Sequence, residues 1–256
     1  MERYGRSSYG DAFADVYDDW YGGVTDVEST VQLVADLAAP GGRVLELGVG
    51  TGRLAVPIAA RGFDVHGVDA SAAMLDHLRA RDAGGRVAVT LGDMVDDLPA
   101  GPFDVVLVAY NTLFNLESAE RQAACFSAVA GRLSPRGRFV VEAFVPDDPP
   151  RTGTVVAIRS MTVDEVVLSI SDHDPDTQRA AGHLVQFTDG AAVRLRPWAV
   201  RYAPPAELDR FAAAAGLHLV DRWEDVTRRP FTIDSPQHVS VFGPADKKPS
   251  SRTPIR

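Results

Sequence analysis

Arg43-Val44-Leu45-Glu46-Leu47-Gly48-Val49-Gly50-Thr51-Gly52 carries the reading of the fold. Its first five residues are mostly apolar and end the run with an embedded acid, which reads as a buried strand. The strand runs into a loop with three glycines, where a tight turn and close backbone approach to a ligand become possible. A helix of about ten residues to Ala60 is expected next, with Pro57 inside it costing one backbone bond and a kink. Upstream, Val27, Val31, Val34 and Leu37 lie at helical spacing over 27–38, and Pro40-Gly41-Gly42 stops that helix. Downstream, the same alternation continues: strand Asp64–Val68, helix Ser71–Arg81 with a serine cap, strands Val87–Leu91 and Phe103–Ala109, helix Ala119–Leu133, strand Arg138–Phe144. Such alternation predicts a doubly wound, Rossmann-like parallel sheet with helices on both faces.

After Pro149-Pro150 the rhythm changes. Thr154–Met161, Glu165–Ser171, Ala181–Thr188 and Val193–Tyr202 read as four strands separated by the turn signals Asp174-Pro175-Asp176 and Asp189-Gly190. The expected organisation is an aromatic amino-terminal segment 1–23, a core 24–150, an antiparallel insert 151–203, a return to the core over 204–243 (helix Pro205–Ala215, strands Leu217–Asp225 and His238–Phe242) and a disordered tail 244–256.

Three acids sit in register with the glycine loop. Glu46 precedes it, Asp69 ends the second strand 21 residues after Gly48, and Asp93-Met94 ends the third. Open α/β sheets bind ligands at the carboxyl ends of their strands, and an acid at the second strand end can accept hydrogen bonds from ribose hydroxyls. Asp93 can receive an adenine amine, with Met94 against the ring. The dinucleotide fingerprint fails, because Gly52 comes one residue early and Arg53 takes the place of the third glycine. Glu46 also opposes a pyrophosphate at the helix terminus. A cationic adenosyl ligand without phosphate, S-adenosylmethionine, fits better than a nicotinamide dinucleotide.

With these residues in view, the chain resembles the class I S-adenosylmethionine-dependent methyltransferases. The resemblance rests on Leu45–Gly52, Gly67-Val68-Asp69-Ala70-Ser71, Gly92-Asp93-Met94 and Phe103–Val108, and covers 43–144. It implies a seven-strand sheet with an antiparallel last strand, for which His238–Phe242 is available. It also implies S-adenosylmethionine as cofactor and S-adenosylhomocysteine as product. By the resemblance, Gly48 and Gly50 approach the methionine end, with Gly52 and Arg53 completing the loop. Asp69, beside Ala70, holds the ribose, Asp93 and Met94 hold the adenine, and Ala109 and Tyr110 lie beside the methionine portion. The aromatic amino terminus and the insert are similar in layout to antibiotic-tailoring methyltransferases of amino sugars or peptide amino termini. Nucleic-acid amine methyltransferases carry Asn/Asp-Pro-Pro-aromatic after the fourth strand; this chain has Ala109-Tyr110-Asn111-Thr112.

On the acceptor side, Tyr17, Trp20 and Tyr21 read either as a lid over the cofactor or as one helix face packed on the body. Tyr110, Asn111 and Asn115 either line the cleft or cap a helix. His173 and His183 in the insert are the candidate bases, since histidine titrates near neutrality. His183, Tyr110 and Asn111 make up the catalytic set. Trp198 and Tyr202 share strand parity and are expected to face the acceptor together, with Arg194 and Arg196 nearby.

Composition narrows the partners. The 256 residues carry a net charge of −9, and the first 150 hold 12 basic against 22 acidic side chains, which opposes a long nucleic acid. No apolar run is long enough for a membrane helix, and Met1–Gly10 lacks the apolar stretch of a secretory signal. Cys125 is the one cysteine, so disulfides and a cysteine-built metal site are excluded and a reduced, cytoplasmic setting is expected. The expected acceptor is a small molecule or short peptide, and the insert offers strand edges for a homodimer. A protein that binds S-adenosylmethionine without catalysis is the alternative.

Overall fold

The computed structural model describes residues 2–245. Two short helices come first, α1 (Ser8–Phe13) and α2 (Tyr17–Tyr21), followed by α3 (Val27–Leu37), whose Asp26 cap accepts from the Ser29 N–H at 3.0 Å. The alternating core is β1 (Arg43–Leu47), α4 (Ala55–Ala60), β2 (Asp64–Asp69), α5 (Ala72–Arg81), β3 (Val87–Leu91), β4 (Phe103–Val108), α6 (Ala119–Ala130) and β5 (Leu133–Phe144). The insert is β6 (Gly153–Met161), β7 (Glu165–Asp174), β8 (Arg179–Thr188) and β9 (Arg194–Arg201). The core resumes with α7 (Pro205–Ala214), β10 (Leu217–Trp223) and β11 (Gln237–Pro244).

Seven strands form one sheet in the order β10-β11-β5-β4-β1-β2-β3, and the four insert strands form a second, antiparallel sheet. Strands β1 to β5 pair in parallel, while β11 is antiparallel to both β5 and β10. This is the mixed α/β architecture the alternation predicts. The order reverses between β1 and β4, so the crevice at their carboxyl ends is where a ligand is received.

The helices bury one apolar face each on the two sides of the large sheet. On one side Val31 and Val34 of α3, Ile58 of α4 and Leu75 and Leu78 of α5 pack on Val44, Val65 and Val105. On the other, Phe126 of α6 and Leu208 of α7 pack on Phe139 and Phe242. A third cluster ties the amino-terminal segment to α5 and to the insert sheet: Phe13, fully buried, meets Met74 of α5 and Val167 and Leu184 of the insert. Burial of a phenylalanine of this kind is worth about 1.5–3 kcal/mol.

Several boundaries differ from the sequence reading. Helix α4 runs from Ala55, with Pro57 in its first turn; the Val56 N–H donates to Gly52 O at 3.1 Å and the Ile58 N–H to Leu54 O at 3.0 Å on either side of it, so the proline leaves one gap in that ladder. Helix α6 stops at Ala130, because Leu133 already pairs with Phe103 as the start of a longer β5 and the Phe103 N–H donates to Arg132 O at 2.7 Å. The expected tail begins inside β11, which runs to Pro244, and from residue 246 it lies outside the described residues.

Candidate functional site

The glycine loop after β1 folds under the acid of β2. Asp69 Oδ2 accepts from the Gly50 N–H at 2.8 Å, and Oδ1 accepts from the Ser71 N–H at 2.9 Å. The carboxylate is thereby held rigidly at the crevice with lone pairs to spare, and its burial raises its pKa. Gly48 has φ +67°, and a Cβ there would come within 2.3 Å of Thr112 Cγ2, so the loop closes on the turn after β4 only with glycine at this position. Asp93 ends the neighbouring connection. Its Oδ1 accepts from the Val95 N–H at 2.8 Å and pairs with Arg121 at 2.6 Å.

A groove runs from the loop to this acid. Gly48, Gly50, Asp69, Ala70, Asp93 and Met94 line it from the large sheet, and Tyr9, Gly10 and Tyr17 close it from the amino-terminal segment. At one end it meets a small polar pocket lined by Tyr17, Glu46, Gly48, Arg53, Ala109 and Tyr110. Glu46 is 5% exposed and its Oε2 has no partner; the Nε and Nη1 of Arg53 are also buried and unpartnered. Buried polar atoms without partners are costly. An acid and a guanidinium aimed into one pocket match the ammonium and carboxylate of an amino-acid end. Burial pushes the Glu46 carboxyl up to about 8, although nearby Arg53 pulls it down.

The turn after β4 presents the next groups. Tyr110 and Asn111 adopt left-handed backbone at φ +44° and +66°, a strained conformation for side chains of this size. It is anchored to β5: the Tyr110 N–H donates to Glu142 Oε2 at 3.0 Å, the Asn111 N–H to Glu142 O at 3.0 Å, and the Phe144 N–H to Asn111 Oδ1 at 2.7 Å. Tyr110 is thus pushed outward against Tyr21, with ring centroids 6.0 Å apart.

Beyond Tyr110 lies a second, larger cavity of about 540 Å³. One wall is Tyr9, Phe13, Tyr17 and Tyr21; the floor is Tyr110, Asn111, Asn115 and Phe144; the insert supplies Arg159, Ser169, His173, Leu184, Trp198 and Val200. Tyr9, Tyr17, Thr112 and Asn115 line both this cavity and the groove, so the two spaces share a wall. The amino-terminal segment is tied to both bodies. Asp11 accepts from Ser71 Oγ at 2.7 Å, Asp18 holds Thr51 Oγ1 at 2.7 Å and Arg81 at 2.5 Å, and Asp15 pairs with the buried Arg196 at 2.5 Å. Burial raises the pKa of Tyr9, Tyr17 and Tyr110, Tyr17 to about 12, so these hydroxyls stay protonated near neutral pH.

The structure gathers Tyr17, Glu46, Gly48, Gly50, Arg53, Asp69, Ala70, Asp93, Met94, Ala109 and Tyr110 around the groove and its polar end, and Tyr21, Tyr110, Asn111, Asn115 and Trp198 around the cavity. It does not bring together the rest. Gly52 packs under the loop, where a Cβ would meet Leu78 Cγ at 2.8 Å. His183 pairs with Ile170 and Pro197 on the outer face of the insert, away from the cavity; His173, three rungs along and so on the inner face, lines the cavity instead. Asn111, though it lines the cavity, has spent its Oδ1 on the backbone of β5 and also holds the turn. Trp20 packs between Arg159 and Arg196, with the two guanidinium carbons 4.7 and 5.2 Å from its ring. Tyr202 lies past β9, in an adjoining outer pocket with His173, Asp147 and Arg151. Tyr9, Phe13, Thr112 and Arg159 are site residues the sequence reading passed over. The early tyrosines were a signal for the first two; nothing local marked Arg159.

A doubly wound sheet of this order, with an acid-lined groove at its switch point, has the layout of a methyltransferase fold. Residues 44–137 match the methyltransferase domain family. The CcbJ methyltransferase from Streptomyces caelestis is 41% identical, with a TM-score of 0.88 over 94% of this chain and 100% of that one. The chain belongs to the S-adenosylmethionine-dependent methyltransferases. The cypemycin N-terminal methyltransferase of a Streptomyces species is 34% identical over 113 residues, 44% of this chain and 46% of that protein. The chain spans about half the length of the curated relatives it matches. CalS10, an amino pentose methyltransferase from Micromonospora echinaspora, shares the fold at 19% identity, with a TM-score of 0.68 over 89% of this chain and 96% of that one.

Proposed function

We propose that this chain moves a methyl group from S-adenosylmethionine to an amine or hydroxyl of a small molecule held in the aromatic cavity. The observation that carries the reading is the shared wall, which sets an apolar chamber directly beside a groove fitted to an adenosyl amino acid. Bound S-adenosylmethionine supplies an already activated methyl on its sulfonium. Glu46 and Arg53 grip its amino-acid end, Asp69 its ribose, and Asp93 with Met94 its adenine. Tyr17 and Tyr21 form the lid with the rest of 1–23, and their ring faces favour an onium charge. Tyr110, Asn115 and Trp198 align the acceptor, and alignment of this kind is worth roughly 7–11 kcal/mol. His173, whose Nε2 lies 2.9 Å from Ser171 Oγ, receives the acceptor's proton and passes it to the outer pocket.

In this reading residues 24–150 and 204–243 form the cofactor-binding core, 151–203 the acceptor-binding insert, and the setting is cytoplasmic, with no long nucleic acid as partner. Among the described residues no helix is long and apolar enough to cross a membrane. A peptide amino terminus is the second acceptor class, favoured by the likeness to the cypemycin enzyme. The test is calorimetric titration with S-adenosylhomocysteine, S-adenosylmethionine and NADH in parallel, then an acceptor screen of amines, phenols and peptides. Binding of the two adenosyl ligands and turnover of one acceptor is the expected result. Binding of NADH alone, or cofactor binding with no turnover of any acceptor, overturns it.

A further inference from the structure

Most arginines of this acidic protein are spoken for: fifteen of them form ion pairs among the described residues. Arg159 of β6 has no carboxylate within 4.0 Å among the described residues, yet it lines the cavity. Among the described residues the cavity wall contains no aspartate or glutamate. Among the described residues the other arginine at the site without an ion pair is Arg53, whose Nε and Nη1 face the pocket assigned to the cofactor's carboxylate.

Arg159 is held in place by aromatic neighbours. Its guanidinium carbon lies 4.7 Å from the Trp20 ring and 4.8 Å from the Tyr21 ring, Nη1 donates to Tyr21 Oη at 3.0 Å, and Nη2 to Trp20 O at 3.4 Å. A guanidinium carries five N–H donors in a planar fork, so most of the fork remains without a partner among the described residues. It is oriented, charged and next to an apolar chamber, which is the arrangement that recognises a carboxylate bidentately. One arginine matches a single negative charge; a phosphate, with about two, calls for a cluster of cations. The absence of any acid in the wall disfavours a second, cationic group on the part of the acceptor that the chamber encloses.

We propose that the acceptor class is a molecule with an apolar body and one carboxylate, and that Arg159 binds that carboxylate at the cavity rim while the nucleophilic group reaches Tyr110. The proposal rests on the cavity being the acceptor site. It makes Arg159 a specificity-determining residue that acts on binding.

The test separates the two readings. The full chain is first titrated with S-adenosylhomocysteine; failure at that stage removes the methyltransferase reading itself. The saturated protein is then titrated with dansylglycine and dansylglycinamide, which differ only in carboxylate against amide, and followed by probe fluorescence. The expected result is tighter binding of the carboxylate by about tenfold or more. Arg159→Gln is expected to abolish that preference, and Arg159→Lys to keep part of it, with S-adenosylhomocysteine affinity unchanged in both. If Arg159→Gln does not fold, a reduced preference in Arg159→Lys carries the same information. Equal binding of both probes, binding of neither, or a full preference surviving in the variants overturns the proposal. Displacement of dansylglycine by inorganic phosphate overturns the choice of carboxylate over phosphate.

Discussion

Glu46 is a carboxyl buried beside the cofactor pocket with one oxygen unpartnered and its pKa pushed up to about 8. In the free protein near neutral pH it is therefore largely protonated, while an ammonium group in the pocket favours its ionised form. Two outcomes follow. Binding of S-adenosylhomocysteine at neutral pH releases a proton from Glu46, so calorimetric enthalpies depend on the buffer's ionisation enthalpy, and affinity climbs as pH rises toward about 8. The buffer dependence shrinks in Glu46→Gln, and a wild-type enthalpy independent of buffer counts against the assignment. The second outcome concerns stability. Between the ordinary value of 4.5 and about 8 the native state binds more protons here than the unfolded chain. Stability of the free protein therefore falls as pH rises through that window and levels off above it. Denaturant titrations across the window check this, with Glu46→Gln giving a shallower slope. Asp69 makes a different case. Asp69→Ala strips the Gly50 and Ser71 N–H groups of their partner as well as removing the ribose acceptor. It weakens S-adenosylhomocysteine binding by about 1–3 kcal/mol; unchanged affinity in calorimetry excludes the role.

At the scale of elements, the link that matters is the one between α2 and the cofactor loop. Asp18 spans Thr51 Oγ1 and Arg81, and both partners of the ion pair are a third or more exposed. Such a pair contributes no more than about 1 kcal/mol to global stability. Asp18→Ala therefore leaves the melting temperature nearly unchanged but shortens the residence of S-adenosylhomocysteine, read by stopped-flow displacement. An equal residence time means that α2 packs on the body without gating the groove. The elements themselves were legible because their signals are local: glycine spacing, acids at strand ends, turn residues between the insert strands. The faces of the insert were not. Residues 173 and 183 both sit in well-formed strands, and only the docking of the sheet against α1 and α2 decides that His173 looks inward and His183 outward. Trp20 went astray for the same reason, since its neighbours Arg159 and Arg196 come from strands more than 130 residues away.

At the scale of the whole molecule, the outer face of the insert sheet carries several exposed apolar side chains around the buried Val185. Val156, Ile170, His183 and Pro197 form one rung, Ile158, Leu168, Val185 and Leu195 the next, and Met161, Val166 and Phe187 a third. Val156 and Ile158 are each 63% exposed, Leu195 61% and Met161 68%. Scattered apolar side chains need no explanation, but three adjoining rungs make a continuous patch, and monomers rarely leave large ones open to water. Among the described residues strand β6 also leaves one edge of that sheet unpaired, which invites a neighbouring strand. A second copy of this chain is the occupant we propose, because a two-fold contact brings the same apolar rungs together from both sides. A charge in the middle of the patch breaks such a contact and leaves the groove untouched. Ile158→Glu is therefore expected to convert a dimer into a monomer in analytical ultracentrifugation while its affinity for S-adenosylhomocysteine stays that of the wild type. Arg159 is its neighbour on the opposite face, so a loss of carboxylate preference in the same variant ties the dimer to the shape of the acceptor cavity. A wild-type protein that sediments as a monomer at high concentration removes the interface altogether.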